Sequence, residues 1–253
     1  MKVVGIIPAR YNSTRFPGKP LAIIKGKTMI QRVYEQALKS RLDAVVVATD
    51  DVRIADEVMG FGGHYVLTDP KHRSGTERCR EALELLDEPY EVVINIQGDE
   101  PFIDPSQIDL LIGLMGRADT ALASLAKRIE DEDEHFSPNT VKVVMDAEGK
   151  ALYFSRNPIP FMRNLDRSDW MKEGVFYKHV GIYGYKAEAL RRITELPESP
   201  LERAESLEQL RWMENGWAIR MGITGTENLS IDHPSDLAKA ERFAENQTNA
   251  EKS

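Results

Sequence analysis

Three basic side chains fall within one proline-rich stretch near the N-terminus: Arg10, Arg15 and Lys19, in residues 8–20. Guanidinium and ammonium groups donate charge-assisted hydrogen bonds to phosphate oxygens, each worth about 1.5–3 kcal/mol, so two or three can hold a triphosphate. The prolines restrict the loop, and Gly18 permits close approach of its backbone. A solvated surface turn is the alternative. The position of the stretch directly after a predicted strand favours ligand binding.

Acidic residues that suit a divalent cation occur at two places far apart in the chain. Asp99 lies in residues 95–101, directly after an apolar run, and Asp232 precedes the last predicted helix. Magnesium takes one or two carboxylates together with phosphate oxygens and water, so Asp99 needs a second acidic group nearby in space. Spacing alone does not pair the two residues, and Asp232 by itself is more typical of a helix N-cap.

A short polar segment, residues 72–78, precedes another predicted helix. Ser74 and Thr76 are candidates to cap that helix, and Gly75 allows backbone N–H groups to face a ligand. An ordinary capped helix start explains the same residues equally well.

The elements that would position these side chains alternate between strand and helix. Continuous apolar runs, which predict strands buried on both faces, occur at residues 3–7, 44–48 and 92–96. Helical periodicity begins after Thr28, a predicted N-cap, and recurs at about residues 51–60 and 76–86. This alternation predicts an α/β fold with a mostly parallel sheet flanked by helices. Ligands in such sheets bind beyond the carboxyl ends of the strands, where the basic stretch and Asp99 both fall.

The pattern is more mixed after about residue 120. Strands are predicted at residues 121–125, 141–145, 152–155, 180–185 and 217–223, and helices at about 186–195, 201–214 and 234–246. Residues 158–176 are irregular and charged, and we call them the excursion. Because no repeat, linker or clear boundary is present, we expect a single domain over residues 1–246. The polar tail, residues 247–253, is expected to fray.

Composition excludes several classes of protein. The 253 residues are 42% hydrophobic with a formal net charge of −8, which argues against broad contact with nucleic acid or anionic membrane. Cys79 is the only cysteine, so no intrachain disulfide forms, which fits a reducing cytoplasm. The N-terminal apolar run is too short for a secretory signal, and no run approaches membrane-spanning length. We therefore expect a cytoplasmic protein.

Three common nucleotide motifs do not match. A Walker loop ending at residues 26–28 would need glycine where Leu21 stands, and no G-x-G-x-x-G follows the first strand. The strand end that carries Asp99 also has no DxD motif of the kind that many glycosyltransferases use to hold a metal.

Residues 8–20 resemble the signature loop of the 3-deoxy-manno-octulosonate (Kdo) cytidylyltransferases, also called CMP-Kdo synthetases. CMP-sialate synthetases carry a related but less similar loop. The resemblance extends over nearly the whole chain, except residues 164–174 and the tail. His233 stands where the family pattern leads us to expect threonine, and we assign it no role.

The resemblance implies specific roles for residues of this chain. Asp99 and Asp232 are expected to bind Mg²⁺ and, with Arg10 and Lys19, to form the catalytic set. The expected nucleotide-binding residues are Pro8, Ala9, Arg10, Arg15, Lys19, Arg73, Ser74, Gly75, Gln97 and Asp99.

The family's sugar is a 2-keto acid, so its site needs a cation and several polar groups. The expected substrate contacts are Arg78, Arg156, His179, Tyr183, Glu208 and Gln209. Arg156 could bind a carboxylate in bidentate fashion, and His179 and Tyr183 share one face of a predicted strand. Purely structural roles remain open for three of these residues: Arg156 as a surface cation, His179 as a core histidine and Glu208 as part of a solvated helix face.

The expected reaction joins CMP from CTP to Kdo, an acidic eight-carbon sugar, for lipopolysaccharide biosynthesis. We expect a homodimer, to which the excursion could contribute. The alternatives are the same reaction on an amino-substituted Kdo or on sialic acid and, more remotely, a glycosyltransferase or a non-catalytic nucleotide-binding module.

Overall fold

The structure is a computed structural model that describes residues 1–12 and 15–250, without the side chains of residues 246–250. The chain divides into two compact units. The first comprises Met1–Asp109 together with the chain from Asn228 onward, and the second comprises Leu110–Glu227.

Eleven strands and ten α-helices are present in the described residues. The strands are β1 (Val3–Ala9), β2 (Ile23–Ile24), β3 (Lys27–Thr28), β4 (Ala44–Thr49), β5 (Tyr65–Leu67), β6 (Val92–Asn95), β7 (Leu122–Arg128), β8 (Lys142–Met145), β9 (Ala151–Ser155), β10 (Tyr177–Lys186) and β11 (Ile219–Thr224). The helices are α1 (Met29–Ala37), α2 (Val52–Gly60), α3 (Gly75–Leu85), α4 (Pro105–Met115), α5 (Glu132–Phe136), α6 (Trp170–Glu173), α7 (Ala187–Thr194), α8 (Pro200–Glu205), α9 (Glu208–Glu214) and α10 (Leu237–Ala250).

The first unit contains four parallel strands in the order β6-β1-β4-β5. Their β-branched runs are buried on both faces, which is why the sequence reads as continuous apolar segments. Because the strands are parallel, β1 and β6 end at the same edge and deliver the residues that follow them to one place. The predicted α/β class, with a mostly parallel sheet flanked by helices, is confirmed.

The C-terminal helix α10 returns to the first unit. Ala240 and Ala244 pack in one apolar cluster with Met29, Phe102 and Ile231. Ile231 is fully buried, so the residue after it, Asp232, is held beside the core rather than on a loose tail.

The second unit combines parallel and antiparallel pairing. Strand β7 pairs in parallel with β11 and antiparallel with β10, while β8 pairs antiparallel with both β10 and β9. The register between β10 and β7 shifts between Val180 and Tyr183.

His135 lies in an aromatic cluster of the second unit. Its ring is fully buried, 4.0 Å from the centroid of Phe176, and neither ring nitrogen has a hydrogen-bond partner in the described structure. Burial, followed by the positive charges of Lys142 and Arg167, lowers the pKa of His135 to about 4. This histidine is therefore neutral in the folded protein near neutral pH.

Several elements differ from the sequence predictions. The helix predicted over residues 201–214 is two helices, α8 and α9, because Ser206 adopts a left-handed conformation with φ of 53°. Strand β5 and helices α4, α5 and α6 were not predicted. Helix α10 reaches Ala250 rather than residue 246, and residues 251–253 of the predicted tail lie outside the described residues. A single domain over residues 1–246 stays a prediction.

In the part of the chain that the structure describes, no helix has the length and apolar character needed to cross a membrane.

Candidate active site

A pocket of about 270 Å³ opens in the first unit at the carboxyl ends of β1 and β6. It is lined by Pro8, Ala9, Arg10, Arg15, Lys19, Pro20, His72, Arg73, Ser74, Gly75, Arg78, Gln97, Gly98, Asp99 and Asp232. Every residue predicted to bind nucleotide or metal is among them. The structure therefore brings these residues together, while their individual roles stay predictions.

The floor of the pocket depends on close backbone packing after β6. A Cβ atom at Gly98 would lie 3.1 Å from the carbonyl oxygen of Pro8. Glycine thus lets the segment before Asp99 approach the start of the basic stretch, residues 8–12 and 15–20 in the structure, which we call the basic loop.

The basic loop is closed by a backbone hydrogen bond. The N–H of Gly18 donates to the carbonyl oxygen of Tyr11 at 2.8 Å, and Gly18 has a φ of 72°, which favours glycine. The guanidinium of Arg53 lies 3.3 Å from the ring centroid of Tyr11 and also pairs with Asp51, the N-cap of α2. The first turn of α2 therefore supports the loop. This contact was not predicted, because nothing local in the sequence relates Arg53 to Tyr11.

Lys19 joins the two carboxylates at the rim of the pocket. Its Nζ lies 2.7 Å from Oδ2 of Asp99 and 3.6 Å from Oδ1 of Asp232, and it donates to the carbonyl oxygen of Ile231 at 3.0 Å. Arg15 also approaches Asp232, at 3.6 Å. Two basic residues near the N-terminus thus form one compact group of alternating charge with Asp99 and Asp232.

Glu100 is a buried carboxyl group that no sequence pattern singled out. Burial, followed by the negative charge of Asp99, raises the pKa of Glu100 to about 7, although a hydrogen bond from Asn228 opposes the shift. The Asn228 amide donates to Oε2 of Glu100 at 2.7 Å, and the N–H of Ile231 donates to the carbonyl oxygen of Asp99 at 3.0 Å. These two bonds fix the segment that carries Asp232 against the end of β6.

Asp236 anchors Asp232 from the other side. One oxygen of Asp236, Oδ2, accepts from the backbone N–H of Asp232 at 3.0 Å and of His233 at 2.8 Å. His233 is the N-cap of the short turn before α10, so the predicted N-cap role of Asp232 is displaced by one residue. These hydrogen bonds lower the pKa of Asp236 and keep it ionised as a backbone anchor.

The opposite side of the pocket is built by the start of α3. Ser74 caps this helix by accepting from the N–H of Glu77 at 3.2 Å, as predicted. Arg78 is almost fully buried, contacts Thr68 and lies 3.5 Å from Asp50. Arg78 lines the pocket from a fixed position, which suits either the nucleotide or the sugar.

The other predicted sugar contacts all lie in the second unit. The side chain of Arg156 donates to the carbonyl oxygens of Glu205 at 2.7 Å, Pro138 at 3.1 Å and Ser206 at 3.4 Å. This guanidinium is therefore clamped by the backbone.

His179 and Tyr183 lie together, with ring centroids 5.3 Å apart. Burial lowers the pKa of His179 to about 4, whereas burial and then the charge of Glu208 raise the pKa of Tyr183 well above its ordinary value. Glu208 pairs with Arg211 at 2.7 Å, and Gln209 is buried. Hydrogen bonds thus fix Arg156 and an ion pair fixes Glu208, while contact of all five second-unit residues with a sugar stays a prediction.

Comparison with known proteins identifies the family to which this chain belongs. Residues 4–221 match the family model described as cytidylyltransferase. Because the match covers most of the chain, the protein belongs to the cytidylyltransferase family.

The relatives narrow that class. The 3-deoxy-manno-octulosonate cytidylyltransferase of Parabacteroides distasonis is 53% identical over 250 residues, which cover 97% of this chain and 99% of the relative. The protein of the same name from Bacteroides thetaiotaomicron is 52% identical over 252 residues, covering 98% and 100%. A solved structure of CMP:2-keto-3-deoxy-manno-octonic acid synthetase complexed with CTP has a TM-score of 0.90 at 42% identity, covering 98% of this chain and 100% of its own. The resemblance stated from the sequence is thereby confirmed.

Proposed function

We propose that this protein is a 3-deoxy-manno-octulosonate cytidylyltransferase, which transfers CMP from CTP to Kdo and releases pyrophosphate. The observation that carries the proposal is that one pocket brings Arg10, Arg15 and Lys19 together with Asp99 and Asp232, in a chain that matches Kdo cytidylyltransferases over nearly its full length.

The proposed reaction is an in-line displacement at phosphorus. The anomeric hydroxyl oxygen of Kdo attacks the α-phosphorus of CTP, the bond to the oxygen bridging the α- and β-phosphorus breaks, and pyrophosphate leaves with that oxygen. The hydroxyl proton passes to solvent. Such a displacement asks the protein mainly to position the reactants and to neutralise charge.

The basic residues supply that neutralisation. Arg10, Arg15 and Lys19 bind the phosphate oxygens, and negative charge that builds up on the leaving pyrophosphate is stabilised by their fixed positive groups. Ser74 and Gly75 bring the N-terminus of α3 to the same pocket, where backbone N–H groups favour anions or the polar edge of the base. Gln97 contributes a further polar group for the base or ribose.

Asp99 and Asp232 fit a magnesium ion. Both offer only oxygen donors, and one ammonium, that of Lys19, already lies within 3.6 Å of an oxygen of each, so the pair accommodates a shared cation. Within the described residues no group of three or more His, Cys, Asp or Glu side chains is arranged for a metal, but magnesium needs only one or two carboxylates beside phosphate oxygens. Magnesium held there would neutralise phosphate charge and orient the triphosphate.

The sugar is assigned to Arg78, Arg156, His179, Tyr183, Glu208 and Gln209. Their support is chemical: Arg78 and Arg156 offer guanidinium groups for a carboxylate, and His179, Tyr183, Gln209 and the carboxylate of Glu208 offer donors and acceptors for hydroxyls.

We further propose that the protein acts in the cytoplasm, where CTP is available, and that its product serves lipopolysaccharide biosynthesis. A homodimer is supported by apolar side chains displayed on the excursion, where Phe161 is 73% and Val175 52% exposed. Sedimentation of Phe161→Glu should show monomers. Leu38→Glu, at a position 57% exposed in the first unit, is the matched control and should leave the dimer intact.

A pyrophosphate-release assay tests the function. CTP and Mg²⁺ are supplied with Kdo, an amino-substituted Kdo or sialic acid, and we expect release with Kdo above the others. Asp99→Asn should lower turnover by at least about a hundredfold. Release that is absent with every sugar, or a near-normal rate in Asp99→Asn, would contradict the proposal.

A further inference from the structure

Strand β10 is irregular where it passes β7. Val180 pairs with Leu125, but the next partner, Ser124, pairs with Tyr183, so Gly181 and Ile182 have no residue opposite them in β7. Such bulges leave backbone groups outside the ladder and redirect neighbouring side chains.

The hydroxyl of Ser124 lies at this bulge. Its Oγ is 2.8 Å from the carbonyl oxygen of Ile182, 3.3 Å from that of Val180 and 2.8 Å from Nε2 of His179. Ser124 is fully buried. Its single proton must therefore be shared among protein groups alone.

The number of available protons determines which group donates in each hydrogen bond of Ser124. A serine hydroxyl has one proton and two lone pairs, and a carbonyl oxygen can only accept. If Ser124 donated to His179, its oxygen would lie 2.8 Å from the Ile182 carbonyl with no proton between two acceptors. When Ser124 instead donates to Ile182, every group is satisfied provided that Nε2 of His179 carries a proton and donates to Oγ.

The ring of His179 is held in this orientation by its neighbours. Phe154 meets it edge-on at 5.1 Å between centroids, and Tyr183 lies at 5.3 Å. Burial lowers the pKa of His179 to about 4, so its imidazole is uncharged near neutral pH.

We infer that Ser124 is a positioning residue that fixes His179 as the neutral Nε2–H tautomer, so that Nδ1 serves as a hydrogen-bond acceptor for a sugar hydroxyl. The inference rests on the proposed function in taking His179 to be a sugar contact. It also specifies the chemistry of that contact. A hydroxyl can donate to Nδ1, whereas an ionised carboxylate has no proton to offer, so the sugar carboxylate must bind elsewhere.

Nitrogen NMR of the intact protein tests the tautomer directly. Protein labelled with ¹⁵N-histidine should show, for His179, one protonated ring nitrogen at Nε2 and one unprotonated nitrogen at Nδ1 near neutral pH. The signal is assigned by its loss in His179→Gln. A signal from the Nδ1–H tautomer or from imidazolium would overturn the inference, whatever the activity of the protein.

Kinetics of Ser124→Ala tests the positioning role. We expect the KM for Kdo to rise about tenfold and the KM for CTP to stay unchanged, with a mixture of tautomers in the NMR spectrum. Ser124→Thr, which keeps the hydroxyl, should retain the wild-type tautomer. If Ser124→Ala keeps both the tautomer and the KM for Kdo, the positioning role is wrong. If wild-type protein forms no CMP-sugar, the proposed function fails while the tautomer assignment is still judged by NMR.

Discussion

Lys19 places one ammonium between two carboxylates, and replacing it with methionine removes the charge while keeping a side chain of similar length. An ion pair about 4 Å long contributes about 4 kcal/mol at an effective dielectric constant of about 20 and about 1 kcal/mol in water. The side chains of Asp99 and Asp232 are 28% and 45% exposed, which brings the two pairs close to the lower figure. We therefore expect Lys19→Met to lower the free energy of unfolding by about 1–2 kcal/mol.

Magnesium should reverse much of that loss. In Lys19→Met the two carboxylates repel each other without an ammonium between them, and a divalent cation can bind both without displacing a lysine. Scanning calorimetry without CTP should show the melting temperature of the variant about 2–8 °C below wild type. Added Mg²⁺ should raise the variant's melting temperature more than that of wild type.

Lys27→Met is the matched control, because Lys27 forms one exposed pair with Glu35. Its melting temperature should change little, and Mg²⁺ should not affect it differently from wild type. Equal losses in the two lysine variants, or an equal response of Lys19→Met and wild type to Mg²⁺, would refute the idea that Lys19 and the metal compete for the same oxygens.

Three further predictions concern positions away from the basic loop. Asn228→Ala should lower turnover about tenfold because the segment that carries Asp232 loses its bond to Glu100, and steady-state kinetics with unchanged circular dichroism would check this. Folding lowers the pKa of His135 from its ordinary value of 6.5 to about 4, so the unfolded chain binds more protons between these values and the free energy of unfolding should fall as pH drops through that window. Urea titrations at about pH 7.5 and about pH 5 should show a smaller fall for His135→Phe, and an identical fall would contradict the reasoning. Ser206→Gly should raise the free energy of unfolding by about 0.5–1 kcal/mol, since glycine adopts the left-handed conformation without strain, and a lower melting temperature would be the opposing result.

The parallel strands were predictable because strands that are buried on both faces consist of continuous apolar runs in the sequence. Strand β5 is only three residues long and is partly exposed, so it leaves no such run. Helix α4 is apolar on nearly every side, which weakens the periodicity that marks an amphipathic helix. The break between α8 and α9 depends on the left-handed backbone conformation of Ser206, which a serine in the sequence does not predict.

The candidate site was likewise predictable from the sequence only in part. The basic loop and Asp99 were found from residue type and position at strand ends. Asp232 was paired with Asp99 only through the family resemblance, because nothing local relates residues so distant in sequence. The bond between Glu100 and Asn228 and the stacking of Arg53 on Tyr11 are tertiary contacts. The spacing of apolar residues in the sequence does not predict tertiary contacts of this kind.

The return of α10 to the first unit has a consequence for biosynthesis of the protein. Asp232 follows Ile231, which packs in one apolar cluster with Ala240 and Ala244 of α10 and donates its N–H to the carbonyl oxygen of Asp99. A ribosome makes these residues after all the others that build the pocket, so a prematurely terminated chain could form the basic loop and still lack the second carboxylate. A chain that ends before α10 therefore lacks the apolar contacts of Ala240 and Ala244 that hold Ile231, and with it Asp232, in place.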